Sequence, residues 1–234
     1  MKDYVAGGYF IANYLDRPEC MPSELLPDRI LSASDCIVDI VPDAWAYRGM
    51  GDKGREVRER MASAMGIESV MLTQAMRWTE ARRKAREFAW PDVFTSTKVA
   101  SEFAHLFLRN SQDWALIGIG LHQTLVRTFT QEIAHVGEYG DGVHWVLSKG
   151  LALEPLAQVL GFEVLGFESG GFHSSLCHGL ERDFFRHLGI RPNRSGFYDE
   201  FDDALRCAEY ANRDDVPTEH VRWMPWLIVK YEMA

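Results

Sequence analysis

An α+β fold in a single domain is predicted, with a mixed sheet of about five strands covered by six or seven helices. Three observations predict it. Period-2 and period-3.6 apolar patterns alternate along the chain in no fixed order, rather than in separate blocks. The run Trp114–Leu121, WALIGIGL, is apolar nearly throughout, as in a strand buried on both faces. Apolar residues make up 47% of the 234, enough for one large core without disulfide or metal staples.

The elements follow in order. Residues 4–15, YVAGGYFIANYL, suit a strand pair or one bulged strand, because Gly7-Gly8 interrupts an aromatic run. Pro18, Pro22 and Pro27 make 16–27 loop or extended chain. Cys36–Val41, CIVDIV, reads as a strand, and Trp45 and Tyr47 continue its period. Asp52 can cap a helix through Val57, Met61 and Met65 that ends at Gly66. Ser69 opens a second helix, expected to reach about Ala89, with Arg82, Arg83, Lys84 and Arg86 complementing the dipole of its last turns. A third helix, about Ser96 to Leu108, buries Val99, Phe103 and Phe107. Helical spacing returns over 122–136, whereas 143–147 fits strand or helix. Leu153–Leu160 reads as a short helix with Pro155 in its first turn.

The clearest strand–turn–helix unit spans Leu160–Leu188: a strand at 162–167, a Ser169-Gly170-Gly171 turn, and a helix from about Phe172 to Leu188. Asp199–Asn212 is helical, with Phe201, Leu205 and Ala208 inward. Val221–Glu232 is a strand whose Pro225 assigns its first half to an edge or a bulge.

Composition narrows the function classes. The net charge is −9, and it is uneven. Residues 151–234 carry 8 basic and 14 acidic side chains, a difference of −6, against 17 and 20 before them, a difference of −3. Such a field repels nucleic acid and anionic lipid and attracts cationic partners. No run of about 18 apolar residues occurs, and the first residues lack the apolar centre of a secretory signal, so no membrane span and a cytoplasmic location are expected. Cys20, Cys36, Cys177 and Cys207 contain no C-x-x-C pair and read as reduced thiols, although the spacing permits a Cys20–Cys36 disulfide.

Candidate chemistry is sparse. Gly118–Gln123, GIGLHQ, resembles the start of a dinucleotide fingerprint, but Gln123 stands where the third glycine belongs. No phosphate loop and no G-x-S-x-G elbow occur, so no cofactor is expected. His173, Cys177 and Glu181 stand at i, i+4 and i+8, which on a helix makes one column of imidazole, thiol and carboxylate, with His178 beside it. Zinc accepts each of those groups, and Ser174, Ser175 or Cys177 could pair with a histidine as nucleophile and base. The alternative is a buried stripe of Phe172, Leu176, Leu180 and Phe184 with these residues at its border.

The acidic run Asp199, Glu200, Asp202, Asp203, continued by Glu209, Asp214, Asp215 and Glu219, is the most negative part of the chain. Two of these carboxylates suit a first helical turn, and the others suit a solvated face or a docking surface for a basic protein. Trp223 and Trp226 flank Pro225, where aromatics beside charges could anchor a partner.

Two blocks carry a family resemblance. One is WPDVF with A-x-x-F-x-x-x-F and W-x-L-I-G-I-G-L, Trp90–Leu121; the other is Leu160–Glu181 with LGIRPN and the terminal WMPWLIVKYE. Together they resemble uncharacterised bacterial immunity proteins of polymorphic toxin systems. That resemblance implies a non-enzymatic cytoplasmic protein that binds and neutralises a cognate, basic toxin domain. Asp199, Glu200, Asp202, Asp203, Asp214, Asp215 and Trp223 are the expected contacts, read from their charge and place rather than from the resemblance. The alternative expectation is a small-molecule enzyme or metal-binding protein built on His173, Cys177 and His178.

Overall fold

The computed structural model describes residues 2–17, 21, 24–41, 51–90, 92–109, 113–133, 142–168 and 171–233, with backbone alone at 51, 53 and 69. In chain order its elements are β1 (Tyr4–Asn13), β2 (Leu15–Asp16), β3 (Arg29–Ile30), β4 (Ile40–Val41), α1 (Gly51–Ala64), α2 (Ser69–Lys84), β5 (Phe88–Ala89) and β6 (Val93–Phe94). Then come α3 (Thr97–Phe107), β7 (Trp114–His122), α4 (Gln123–Glu132), α5 (Gly142–Ser148), β8 (Gln158–Glu168), β9 (Gly171–Ser174), α6 (Leu180–Leu188), α7 (Phe201–Ala211) and β10 (Arg222–Tyr231). No helix among the described residues is long and apolar enough to cross a membrane.

The α+β class and the seven helices agree with the sequence reading, but the sheet does not. Among the described residues it has eight strands, not five, in the order β5-β6-β1-β7-β10-β8-β9 with β4 also on β1. Its pairings are antiparallel throughout rather than mixed. The additional strands are short: β5 and β6 span two residues each, and β9 spans four. Segments of that length show no periodicity. The four long strands β1, β7, β10 and β8 lie side by side, and Ala115, Leu116, Ile117, Ile119 and Leu121 of β7 are fully buried. Helices α3 and α4 pack on β1 and β7, α5 on β1, and α7 on β10 and β8, which explains the apolar run.

Three expected elements change. The helix from Ser69 ends at Lys84 rather than near Ala89, because Phe88–Ala89 pairs with Val93–Phe94. Cys36–Val41 is mostly a turn, because the Ser34 carbonyl accepts from the N–H groups of Ile37 and Val38, each at 3.2 Å; only Ile40–Val41 joins the sheet. Trp45 and Tyr47 lie outside the described residues. Leu153–Leu160 is no helix: a turn around Pro155 leads into β8, which begins at Gln158. The strand with Pro225 lies between β7 and β8, and its first half, Arg222–Pro225, pairs on one side only, as expected of it. Proline is accommodated there because the ladder to β7 begins only at Trp226, so at Pro225 the strand pairs with β8 alone.

The glycines of GIGLHQ serve packing. A Cβ on Gly118 would meet Tyr231 at 2.9 Å, and one on Gly120 would meet Leu153 at 2.7 Å. Both glycines sit within β7, on whose end α4 follows directly. Gly161 has a conformational role. It sits where β8 bulges against β10, at φ +130°, and its Cβ position lies 2.6 Å from the Tyr198 carbonyl oxygen. That carbonyl accepts from Phe162 N–H at 2.7 Å. We therefore expect Gly161→Ala to destabilise the protein by about 3 kcal/mol, through backbone strain and the clash together. Urea unfolding measures it; an unchanged midpoint would contradict the bulge.

Candidate functional site

The site grows from the β8–β9 hairpin, where Leu165 pairs with Ser174 and Gly166 with His173. One inward residue of β8 is a carboxylate, Glu163, only 3% exposed. A buried carboxylate needs donors. It accepts from Ser32 Oγ at 2.5 Å, Ala33 N–H at 3.1 Å and Ser174 Oγ at 2.8 Å. Burial still pushes its carboxyl above the ordinary range, although all three hydrogen bonds work the other way. These bonds fasten the segment 32–34 to the hairpin. Ser34 adds a bond, donating to the Phe172 carbonyl at 2.6 Å. The Ser34 Oγ also accepts from Cys36 N–H at 3.3 Å, which fixes the turn that carries Cys36.

That turn faces Cys177. The sequence reading placed His173, Cys177 and Glu181 in one helical column, and the structure corrects this. Residues 171–174 are strand, 175–178 are a single 3₁₀ turn, and the α-helix begins only at Leu180 after Gly179 at φ +65°. Two local causes break the expected helix. Ser174 Oγ caps the turn at Leu176 N–H, and left-handed Gly179 redirects the chain. Glu181 leaves the group: it is 1% exposed on α6, with Arg182 Nε 3.6 Å away and no hydrogen-bond partner for its Oε2.

His173 and Cys177 nevertheless meet, through Cys36. Both cysteines are exposed, and each is the largest influence on the other's titration. His173 Nδ1 lies 3.8 Å from Cys36 Sγ. Two carboxylates surround the imidazole: Glu168 Oε2 is 3.9 Å from Nε2, and Glu219 Oε1 is 3.7 Å from Nδ1. The other Glu219 oxygen contacts His178 Nε2, so this one carboxylate spans both imidazoles. Beneath His178 lies the edge of the Trp223 ring, with centroids 5.7 Å apart.

The thiols are unequal. Interaction with Cys177 lowers the Cys36 thiol to about 6; burial and Asp35 oppose this, while Ser34 and His173 assist. The same interaction, with burial, raises Cys177. An exposed thiolate beside a protonated thiol and an imidazole can act as nucleophile, with its neighbour closing a disulfide. Among the described residues no group of three or more His, Cys, Asp and Glu is arranged to hold a metal ion.

The expected docking residues divide. Asp199, Glu200, Asp202 and Asp203 lie at the N-terminal end of α7, and Asp214 and Asp215 lie beyond its C-terminal end. An eleven-residue helix separates them, roughly 16 Å at about 1.5 Å per residue. Asp199 accepts from Asn193 at 2.8 Å, Asp203 meets Arg206 at 3.3 Å, and Asp215 meets Arg213 at 2.6 Å. Glu200, Asp202 and Asp214 are exposed. Trp223 is corrected: at 1% exposure, its Nε1 donating to Thr218, it belongs to the core and offers no surface to a partner.

Sequence reasoning missed Cys36, Glu163, Glu168 and Glu219 as members of one site. Cys36 was visible only as a thiol in a supposed strand; Cys20, its other possible partner, lies outside the described residues. A glutamate in the strand core FEVLGF was the available signal for Glu163, since an inward carboxylate needs donors from elsewhere.

Comparison with known proteins finds no matching family, no similar curated protein and no similar solved structure.

Two substitutions test the Glu163 anchor. Glu163→Ala leaves three inward donors without an acceptor and is expected to destabilise by about 3 kcal/mol or more. Glu163→Gln, whose amide can satisfy the same groups once the serine hydroxyls rotate, is expected to cost about 1 kcal/mol. A raised folded carboxyl favours the folded state while protonated. Its contribution is full below the unfolded value of about 4.3 and is lost as pH rises through the higher folded value. Urea midpoints across that window should fall in the wild type and stay flatter in Glu163→Gln.

Proposed function

We propose that this chain is a redox-active dithiol protein, in which Cys36 reacts as the thiolate and Cys177 closes a reversible disulfide with it. The observation that carries the reading is the 3.8 Å approach of His173 Nδ1 to the sulfur of exposed Cys36, on a turn that a buried anchor holds in place; the influence of each thiol on the other's titration supports the pairing with Cys177. His173 supports the thiolate electrostatically, and Glu219 keeps His173 and His178 in place. Of the two chemistries expected of the histidine–cysteine group, this favours thiol chemistry over metal binding. It also ranks above docking of a basic toxin domain through the acidic run. That reading relies on one continuous negative face, whereas α7 stands between the two acidic groups and three of their carboxylates already have partners in the chain.

Alkylation by iodoacetamide, followed peptide by peptide by mass spectrometry, tests the assignment. Cys36 should react with a midpoint near pH 6, well ahead of buried Cys207. Above that midpoint the rate is flat, and below it the rate falls as the thiolate is protonated. Cys177→Ala removes the largest cause and should move the midpoint toward an ordinary thiol, about 8.5. His173→Ala should move it less in the same direction. An unshifted Cys36 midpoint in Cys177→Ala would sink the proposal.

A further inference from the structure

A second site lies beside the start of β8, and Asn193 builds one side of it. The Asn193 side-chain nitrogen donates to the Leu160 carbonyl at 3.0 Å and to Asp199 at 2.8 Å. Its side-chain oxygen accepts from Ser195 N–H at 2.9 Å and from Phe197 N–H at 3.1 Å, and its backbone N–H donates to the Phe197 carbonyl at 2.6 Å. Gly196 closes the turn at φ +87°, where a side chain would strain the backbone. Residues 193–197 are thus a fixed turn tied to β8, and they hold Arg194 and Ser195 at the surface. Between this turn and the β2–β3 ladder is a cavity of about 280 Å³. Tyr14, Arg29 and Leu31 line it from the N-terminal segment, and Leu160, Arg194, Ser195 and Phe197 line it from β8 and the turn. The two guanidiniums differ. Arg29 is already engaged: it donates to the Tyr14 carbonyl at 3.0 Å and to Asp113 at 3.1 Å, with Asp16 at 3.9 Å. The Arg194 guanidinium has no partner among the described residues. Lys230 adds positive charge nearby, donating to the Tyr14 hydroxyl at 3.3 Å. In a chain of net charge −9, this is a concave place with one unshared cation at an otherwise apolar wall.

We propose that this cavity binds a small aromatic carboxylate of the size of benzoate. At ~30 Å³ for each water-sized group the space holds about nine non-hydrogen atoms, which is the size of that ion and far below that of a nucleotide. Leu31, Leu160 and Phe197 offer a ring an apolar wall. The free guanidinium of Arg194 offers parallel N–H donors to the two oxygens of a carboxylate, and the Ser195 hydroxyl is a further donor. One unshared cation matches one negative charge. A phosphate dianion would bring a second charge, and the only other guanidinium of the wall is already paired with Asp113. A neutral ring would fill the space and leave Arg194 without a partner. Neither cysteine lines the cavity, so its occupancy is independent of the dithiol chemistry.

The full chain is titrated calorimetrically with benzoate, with its neutral counterpart benzamide and with inorganic phosphate. Benzoate is expected to bind with a dissociation constant of about 1 mM or below, and benzamide about tenfold more weakly. Arg194→Ala, at an exposed position, is expected to weaken benzoate about tenfold or more. Arg194→Lys, which keeps the charge and loses the fork, is expected to weaken it about threefold. Arg191→Ala removes the same charge from an exposed residue outside the cavity, and should leave the constant within about twofold. Benzoate bound equally by the wild type and Arg194→Ala would overturn the site. Benzamide matching benzoate would overturn the assignment of an anion, and phosphate binding more tightly than benzoate would overturn that of a carboxylate. No binding of benzoate to the wild type would overturn the proposal outright.

Discussion

A carboxylate with no water around it organises this molecule. Glu163 lies in the middle of β8, where its neighbours Phe162, Val164 and Leu165 are core residues. Placing such a group inside is unfavourable unless donors converge on it, and they come from two distant stretches of chain. Ser32 and Ala33 lie before β4, and Ser174 ends β9. Satisfying Glu163 therefore does what the short strands cannot do alone. It fixes an early, irregular segment onto the far edge of a sheet whose long strands were made elsewhere. The turn that carries Cys36 has no regular structure of its own, so its position depends on this anchor and on the Ser34 bond to Phe172.

Once the turn is fixed, the properties of the thiols follow from proximity. Two isolated exposed cysteines would titrate alike. Here each thiol acts on the other, so the first proton leaves Cys36 readily and the second, from Cys177, leaves with difficulty. The nearby imidazole pushes in the same direction and the Asp35 carboxylate in the other; Cys177 is the largest influence and decides the sign. Glu219 contributes indirectly. By contacting both His173 and His178 it holds His173 against Cys36 instead of letting the ring turn to solvent. Trp223 lies under His178 and gives that arrangement a rigid floor.

Legibility in the sequence tracked length and locality. β1 with its bulge, the double-sided β7, α1 ending before Gly66, and α3 capped by Ser96 are all set by neighbouring residues, and all are found where the pattern places them. The two-residue strands have no pattern to read. The stretch 172–178 was misread for a different reason: its spacing of Phe172, Leu176 and Leu180 suits a helix, but pairing with β8 and the left-handed Gly179 prevail over that spacing. Pro225 was legible for its own half of the strand, which pairs on one side only; that the other half joins β7 is a tertiary fact. The thiol site was illegible as a site. Cys36 and Cys177 lie far apart in the chain, and the turn that carries Cys36 is fixed by Glu163 and Ser34 bonds that no local pattern announces.

The acidic bias of the C-terminal third also changes meaning in three dimensions. In sequence, Asp199 through Glu219 is one negative run. In space it divides by function. Asp199 secures the loop after α6 through Asn193, the first-turn carboxylates sit where the α7 dipole favours them, and Glu219 serves the two imidazoles. Charge counted along a chain cannot separate these roles, because each depends on the partner that the fold supplies. Near the thiols the same holds: Glu168 and Glu219 stand against His173, and Asp35 is the carboxylate that acts on Cys36, so each charge takes its meaning from the group the fold sets beside it.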